Sequence, residues 1–424
     1  MPIEFEPFSP DIRADPYSHY RELRDVAPVH YAPESKVWCI SRFDDVMAVL
    51  NDPVTYSSEA MFSMLMNAGA DGPPPLTWNT IRYVTKMLFQ ARMHPAKFQS
   101  ARSLIAEDGE QHAETRKIVN RGFTPRRIAL LEPRIREVAE EALRDLRAGE
   151  PFDIVEDFAT PLPVMIISEL LGIEPDRRAD FKRWSDVIVK SSSTIEGREL
   201  RNQLDPQISD TFVEMLTYLR GIARERRKNP SDDLISVIVA SQEGDVGLTD
   251  YDVLSFVLVL LVAGNETTTN LIGNAVSALF DFPDQLERLS AAPELVGPLL
   301  EETLRFDPPI QLVFRTTTRD VELHGVLIPK GQYVAPLIGS ANRDERQFSN
   351  PDRFDIERRP QGHVGFGFGK HFCLGSSLAR LEASCALEAL LPELPKLVRR
   401  DEKREWLDSF LVRGLVQLKV ERAA

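Results

Sequence analysis

Apolar residues recur at helical spacing over most of the chain, interrupted by short extended-looking runs. The 3.6-residue period predicts helices over Asp15–Asp25, Phe43–Leu50, Glu132–Leu146, Leu162–Leu171, Arg177–Val189 and Arg201–Arg227. Short apolar runs predict strands at Val29–Tyr31, Val37–Ile40, Ile310–Arg315, Val321–Leu323 and Tyr333–Ile338. The expected class is therefore mainly α with small β-sheets, the strands gathering roughly at 28–60 and 310–340.

The longest periodic stretch opens at Thr249, with Asp252 in a capping-box-like place, and runs to Asp281, where Phe282-Pro283 stops it. About 32 residues at ~1.5 Å each gives a rod of roughly 48 Å. Its middle reads Val262-Ala263-Gly264-Asn265-Glu266-Thr267-Thr268-Thr269. A buried helix should not carry this set. Gly costs about 1 kcal/mol against Ala, and a buried carboxylate is costlier unless partnered. A threonine hydroxyl there can also bond back to a carbonyl and distort the turn. Local violations of this kind point to function.

Between Tyr56 and Arg102 the pattern is broken by Gly72-Pro73-Pro74-Pro75, and methionines cluster at Met61, Met64 and Met66. Methionines adapt to irregular apolar shapes, in a core or along a pocket. The formal net charge of −14 argues against general nucleic-acid or anionic-membrane binding. Three cysteines, Cys39, Cys373 and Cys385, are too scattered for a disulfide framework and fit a reducing compartment. The N-terminus has no basic region and no apolar core of a signal peptide. The longest nearly apolar run, Val253 to Ala263, is shorter than the ~20 residues of a membrane span.

The densest chemistry lies in Phe366-Gly367-Phe368-Gly369-Lys370-His371-Phe372-Cys373-Leu374-Gly375. The glycines let the backbone turn tightly and approach a bulky group. Ser376 onward reads as a helix, so Cys373 sits on a loop at or before a helix N-terminus. The amides and dipole there favour a thiolate. A thiolate walled by aromatic rings suits a metal in a flat apolar cofactor.

The spacing Phe366-x-x-Gly369-x-His371-x-Cys373-x-Gly375 resembles the haem-ligand signature of the cytochrome P450 family. Other elements follow in the family's order over most of the chain. The resemblance implies a single domain, 1–424, with a long central helix crossing over the haem. It implies haem b with Cys373 as the axial thiolate. His112 and Arg116, and Arg315 with His371, would hold the propionates; Phe366, Gly367, Gly375 and Ala263 would flank the ring. Ala263-Gly264-Asn265-Glu266-Thr267 resembles the family's oxygen-activation motif, with Glu266 and Thr267 relaying protons and Gly264 leaving room for O2. Glu302, Arg305 and Arg353 resemble its buried structural network. Leu261, Gln311, Leu312, Val313 and Phe410 would face the substrate, beneath a lid joined at Ser191–Gly197.

The implied activity is hydroxylation of an apolar small molecule with O2. Electrons would come from NAD(P)H through a ferredoxin (or flavodoxin) and its reductase. The implied protein is a cytoplasmic monomer without nucleic-acid or membrane partners. A peroxide-driven peroxygenase on the same fold would not need the Glu266–Thr267 relay. A haem sensor or carrier would need neither relay nor lid.

Overall fold

The long apolar period becomes one continuous helix, Asp250–Asp281, of 32 residues. Its capping box is formed as expected: Asp252 N–H donates to Thr249 Oγ1 at 3.3 Å, and Thr249 N–H and O–H donate to Asp252 Oδ2 at 2.7 and 2.8 Å. The helix is long and apolar enough to cross a bilayer, yet 67% of its most apolar window is buried inside the protein. The computed structural model describes residues 3–61, 76–193, 199, 203–240, 248–358, 362–400, 403–409 and 411–423.

The chain divides into two compact units, one of residues 1–57, 128–163 and 266–424, the other of residues 58–127 and 164–265. In the first, a five-stranded sheet has the order Val29–Ala32, Val37–Ile40, Tyr333–Pro336, Arg315–Thr317, Tyr56–Ser57. The first two strands are an antiparallel hairpin with Val29 opposite Ile40, and the second runs parallel to the third with Ile40 opposite Pro336. Val29, Ile40, Phe43, Val46, Val334, Ile338 and Phe348 bury its apolar face. Two smaller sheets join Phe152–Asp153, Lys419–Arg422 and Leu397–Arg399, and Val321–Leu323 with Val326–Ile328.

The strand expected at Ile310–Arg315 begins only at Arg315. Ahead of it are isolated bridges, Ile310 to Val412 and Leu312 to Leu337. Residues after Pro308-Pro309 bond alternately to different neighbours, so no ladder forms. Likewise the strand from Tyr333 stops at Pro336, because Ile338–Ala341 is a helical turn. The two ends of the chain are stitched together here. Arg413 donates from Nη1 to the Arg13 carbonyl at 2.7 Å and from Nε to Asp307 at 2.8 Å, and the Tyr17 hydroxyl donates to the same carboxylate at 2.5 Å.

The second unit is helical, with Trp78–Phe89, Gly109–Asn120, Arg178–Ser193, Pro206–Lys228 and Leu234–Ala240. The helix expected from Arg201 starts at Pro206 instead. Asp205 caps it by accepting from the Gln207 and Ile208 amides at 2.9 and 3.3 Å, and proline suits the first helical position. The joint at Ser191–Gly197 falls largely, and Gly72–Pro75 wholly, outside the described residues.

Candidate active site

The loop carrying Cys373 is closed by its own backbone. Gly367 N–H donates to Val364 O at 2.8 Å, Phe372 N–H to Gly369 O at 3.2 Å, and Cys373 N–H to Phe366 O at 2.9 Å. The turn requires left-handed backbone at Gly367 and Gly369, with φ of 71° and 69°. Asn342 anchors the loop from below, its Oδ1 accepting from Val364 N–H at 2.8 Å and its amide donating to Leu304 O at 3.0 Å. Gly375 is the N-cap of the helix Ser376–Leu390, so Cys373 stands just ahead of that helix's positive end.

The three thiols differ in environment. Cys39 and Cys385 are buried, and burial pushes both up, Cys385 to about 11. Neither is a thiolate near neutral pH. Cys373 is half-buried. A Cβ built on Gly375 would meet nothing within 4 Å, and one on Gly367 only the His371 carbonyl at 3.7 Å, so the loop presents an open face. The central helix is buried over Asp252–Val257 and again over Thr268–Leu279, but opens at its middle, where Ala263 is exposed. Sulfur at a helix N-terminus, flanking phenylalanines and an open loop face fit a flat prosthetic group ligated by Cys373.

His112 is buried and Arg116 half-buried, one turn apart on Gly109–Asn120. Arg315 is buried at the start of its strand, with Nη1 donating to the Phe314 carbonyl at 2.7 Å, and His371 is half-buried at the end of the turn Gly369–His371. On the central helix, a Cβ at Gly264 would come within 2.7 Å of Ile167 Cδ1. In the direction of that Cβ, Ile167 packs closely on the helix backbone. Asn265 donates to Ser185 Oγ at 2.9 Å. Glu266 and Thr267 are half-buried, whereas Thr268 and Thr269 are buried, Thr269 donating to the Ala159 carbonyl at 3.2 Å.

Thr268 has a neighbour that periodicity did not single out. Glu382, a side chain 1% exposed on the helix that follows Cys373, lies near enough for Thr268 to favour its charged form slightly. Burial pushes the Glu382 carboxyl up to about 8, and its Oε1 has no hydrogen-bond partner. The sequence did hold a signal: Leu378, Glu382 and Cys385 share one helical face, and a glutamate in an apolar stripe is anomalous.

The buried network around Glu302 is formed with a different third member. Arg305 grips Glu302 through Nε and Nη2, both at 2.8 Å, with both side chains fully buried. Arg353 is exposed and offers only its carbonyl, to Arg305 at 3.2 Å. The second arginine on Glu302 is Arg358, whose Nε donates to Oε1 at 3.2 Å. The bend after Phe354 turns Arg358, not Arg353, inward.

The neighbouring Glu301 holds a second cluster. Its carboxylate accepts a fork from Arg380, at 2.6 Å from Nε and 3.0 Å from Nη2, and lies 2.9 Å from His363 Nε2. Burial alone would raise this carboxyl, but Arg380 and then His363 hold it down at about 2. The Arg380 guanidinium lies 4.4 Å from the Phe366 ring centroid.

Gln311 does not stand ready for substrate. Its amide donates to the Pro308 carbonyl at 2.9 Å and the Tyr17 hydroxyl at 3.3 Å, and its oxygen accepts from Tyr20 at 3.4 Å. A buried amide that can satisfy its hydrogen bonds within the fold does so. Leu261 and Leu312 are buried, and Val313 packs against the core of the five-stranded sheet. Phe410 lies outside the described residues.

Residues 83–412 match the family model of cytochrome P450. The chain is 35% identical over 416 residues to cytochrome P450 107B1 of Saccharopolyspora erythraea, covering 97% of this chain and 96% of that protein. The structure of CYP109Q5 from Chondromyces apiculatus superposes with a TM-score of 0.84 at 37% identity, over 99% of this chain and 98% of the other. That of CYP109E1 from Bacillus megaterium, in complex with testosterone, gives 0.80 at 34% identity, over 97% and 100%.

Proposed function

The chain belongs to the cytochrome P450 family, and from that premise we propose that this haem-thiolate monooxygenase hydroxylates an apolar small molecule in a bacterial cytoplasm. The observation that carries the reading is Cys373: half-buried, at a helix N-terminus, in an open aromatic loop, while the other two thiols are buried. Haem bound there supplies the oxidative chemistry, and thiolate ligation favours O–O cleavage. The chain's own residues do the rest. Cys373 offers the sulfur. His112, Arg116, Arg315 and His371 would supply cations and donors for the two propionates, and charge-assisted bonds of that kind are the strong ones. Phe366, Gly367, Gly375 and Ala263 would flank the ring.

Glu266 exchanges protons with solvent and Thr267 presents a hydroxyl at the opened middle of the central helix. Leu261, Leu312 and Val313 supply apolar lining. The testosterone bound to the CYP109E1 neighbour supports an apolar substrate class. Electrons come from NAD(P)H through a ferredoxin or flavodoxin and its reductase, to a monomer.

The test is spectroscopic and then kinetic. Reduced protein with CO should show the strongly red-shifted Soret band of thiolate ligation. Cys373→Ala should lose the band and the activity, whereas Cys39→Ala and Cys385→Ala should keep both. An unchanged spectrum in Cys373→Ala discards the reading. Turnover with a ferredoxin system but not with peroxide alone separates a monooxygenase from a peroxygenase.

A further inference from the structure

We propose that Glu301, Arg380 and His363 are positioning residues that hold Phe366 in place and set the reduction potential of the iron bound at Cys373. This rests on the haem-thiolate reading above and adds residues that reading leaves without a role. All three lie in the same compact unit as the Cys373 loop.

The geometry runs in one direction, from the helix Val296–Phe306 to the loop. Glu301 and Glu302 are adjacent on that helix, so their side chains leave it about 100° apart. Glu302 turns into the core to Arg305 and Arg358. Glu301 turns to Arg380, which it meets as a two-point fork at 2.6 and 3.0 Å. Arg380 in turn lies 4.4 Å from the centre of the Phe366 ring, a cation–π contact. The Phe366 carbonyl accepts the Cys373 N–H at 2.9 Å. One ring and one backbone bond thus separate the ion pair from the ligand residue.

His363 closes the cluster from the other end of the loop. Its Nδ1 accepts from the Gly365 N–H at 3.1 Å, which puts the ring proton on Nε2, 2.9 Å from the Glu301 carboxylate. The residue before the loop and the residue beyond it are therefore tied to the same carboxylate.

Stability is a poor explanation for this arrangement. The side chains of Arg380 and Glu301 are 36% and 31% exposed, and ion pairs that wet contribute about 0–1 kcal/mol. What the pair does is place a cation against Phe366 while cancelling its charge. An intact pair adds no net charge near the thiolate. Breaking it from either side leaves one unit charge of known sign.

The experiment is a redox titration of the holoenzyme at low ionic strength. Glu301→Gln leaves Arg380 uncompensated, favours electron uptake and should raise the potential. Arg380→Gln leaves Glu301 uncompensated and should lower it. The double variant should fall between them, and the two single shifts should shrink at high salt, since exposed charges are screened. Arg380→Lys keeps the charge and serves as the control should Arg380→Gln lose haem. Single variants that shift together, or not at all, overturn the inference. The CO spectrum of the unaltered protein is the separate check: without a thiolate band the haem-thiolate reading fails, and with one only the tuning claim is at stake.

Discussion

Glu382 makes the structure testable through stability alone. It is 1% exposed, and burial lifts its carboxyl from 4.5 to about 8. The native protein thus holds a proton that the unfolded chain has released at neutral pH. The sign follows from linkage. Glu382 costs nothing below about pH 4.5, where both states are protonated. As pH rises from there to about 8, wild type loses about 1.4 kcal/mol of stability per unit, and above that the loss levels off. Glu382→Gln keeps the shape but carries no proton to release. The stability of the variant relative to wild type should therefore rise by about 2–3 kcal/mol between pH 6 and pH 8 and then stay flat. Denaturant titrations followed by far-UV circular dichroism, run on both proteins at each pH, measure this difference, and other titrating groups cancel. A difference that does not change with pH would mean that Glu382 is already ionised in the folded protein, with a counter-charge that the described residues do not supply.

Thr267→Ala should still consume NAD(P)H and O2 but release more hydrogen peroxide and less hydroxylated product, and Glu266→Gln should slow turnover; full coupling in Thr267→Ala would move the proton route elsewhere. Arg358→Ala should cost about 1–3 kcal/mol, because Glu302 loses one charged donor but keeps its Arg305 fork, whereas Arg353→Ala should stay within about 0.5 kcal/mol, both read by chemical denaturation. Lys117, Arg121 and Arg126 are exposed, while Arg127 is spent on Asp232 at 2.7 Å. Charge reversal at the first three should slow reduction by an acidic ferredoxin, and rising salt should do the same; stopped-flow rates indifferent to both would place the partner on another surface.

What was legible in the sequence was local. The Cys373 loop could be read because its glycines, rings and sulfur are fixed by spacing over ten residues. The central helix could be read because its capping box and its Phe282-Pro283 stop are adjacent to the period they bound. What escaped was non-local. Two arginines, Arg353 and Arg358, stand close together in sequence, and only the fold decides that Arg358 reaches Glu302 across 56 residues. Gln311 looked available because its partners, Tyr17 and Tyr20, lie 294 and 291 residues away. The strand at 310–315 failed because residues 310–314 bond to neighbours on two sides in turn, which no alternation of side chains records.

The bond from Arg413 to the Arg13 carbonyl spans 400 residues, and that has a consequence for biosynthesis. At about 5–20 residues per second, the N-terminal helix leaves the ribosome on the order of 20–80 s before the arginine that fastens it exists. The unit of residues 58–127 and 164–265 is complete by then, but the unit that carries Cys373 needs the last stretch of chain. Tyr17 and Tyr20 must wait, exposed, through nearly the whole of translation. Nascent chains of this protein should therefore be most exposed to chaperones and proteases at their oldest end, and a stop codon a dozen residues early should release the first helix rather than merely shorten the last strand.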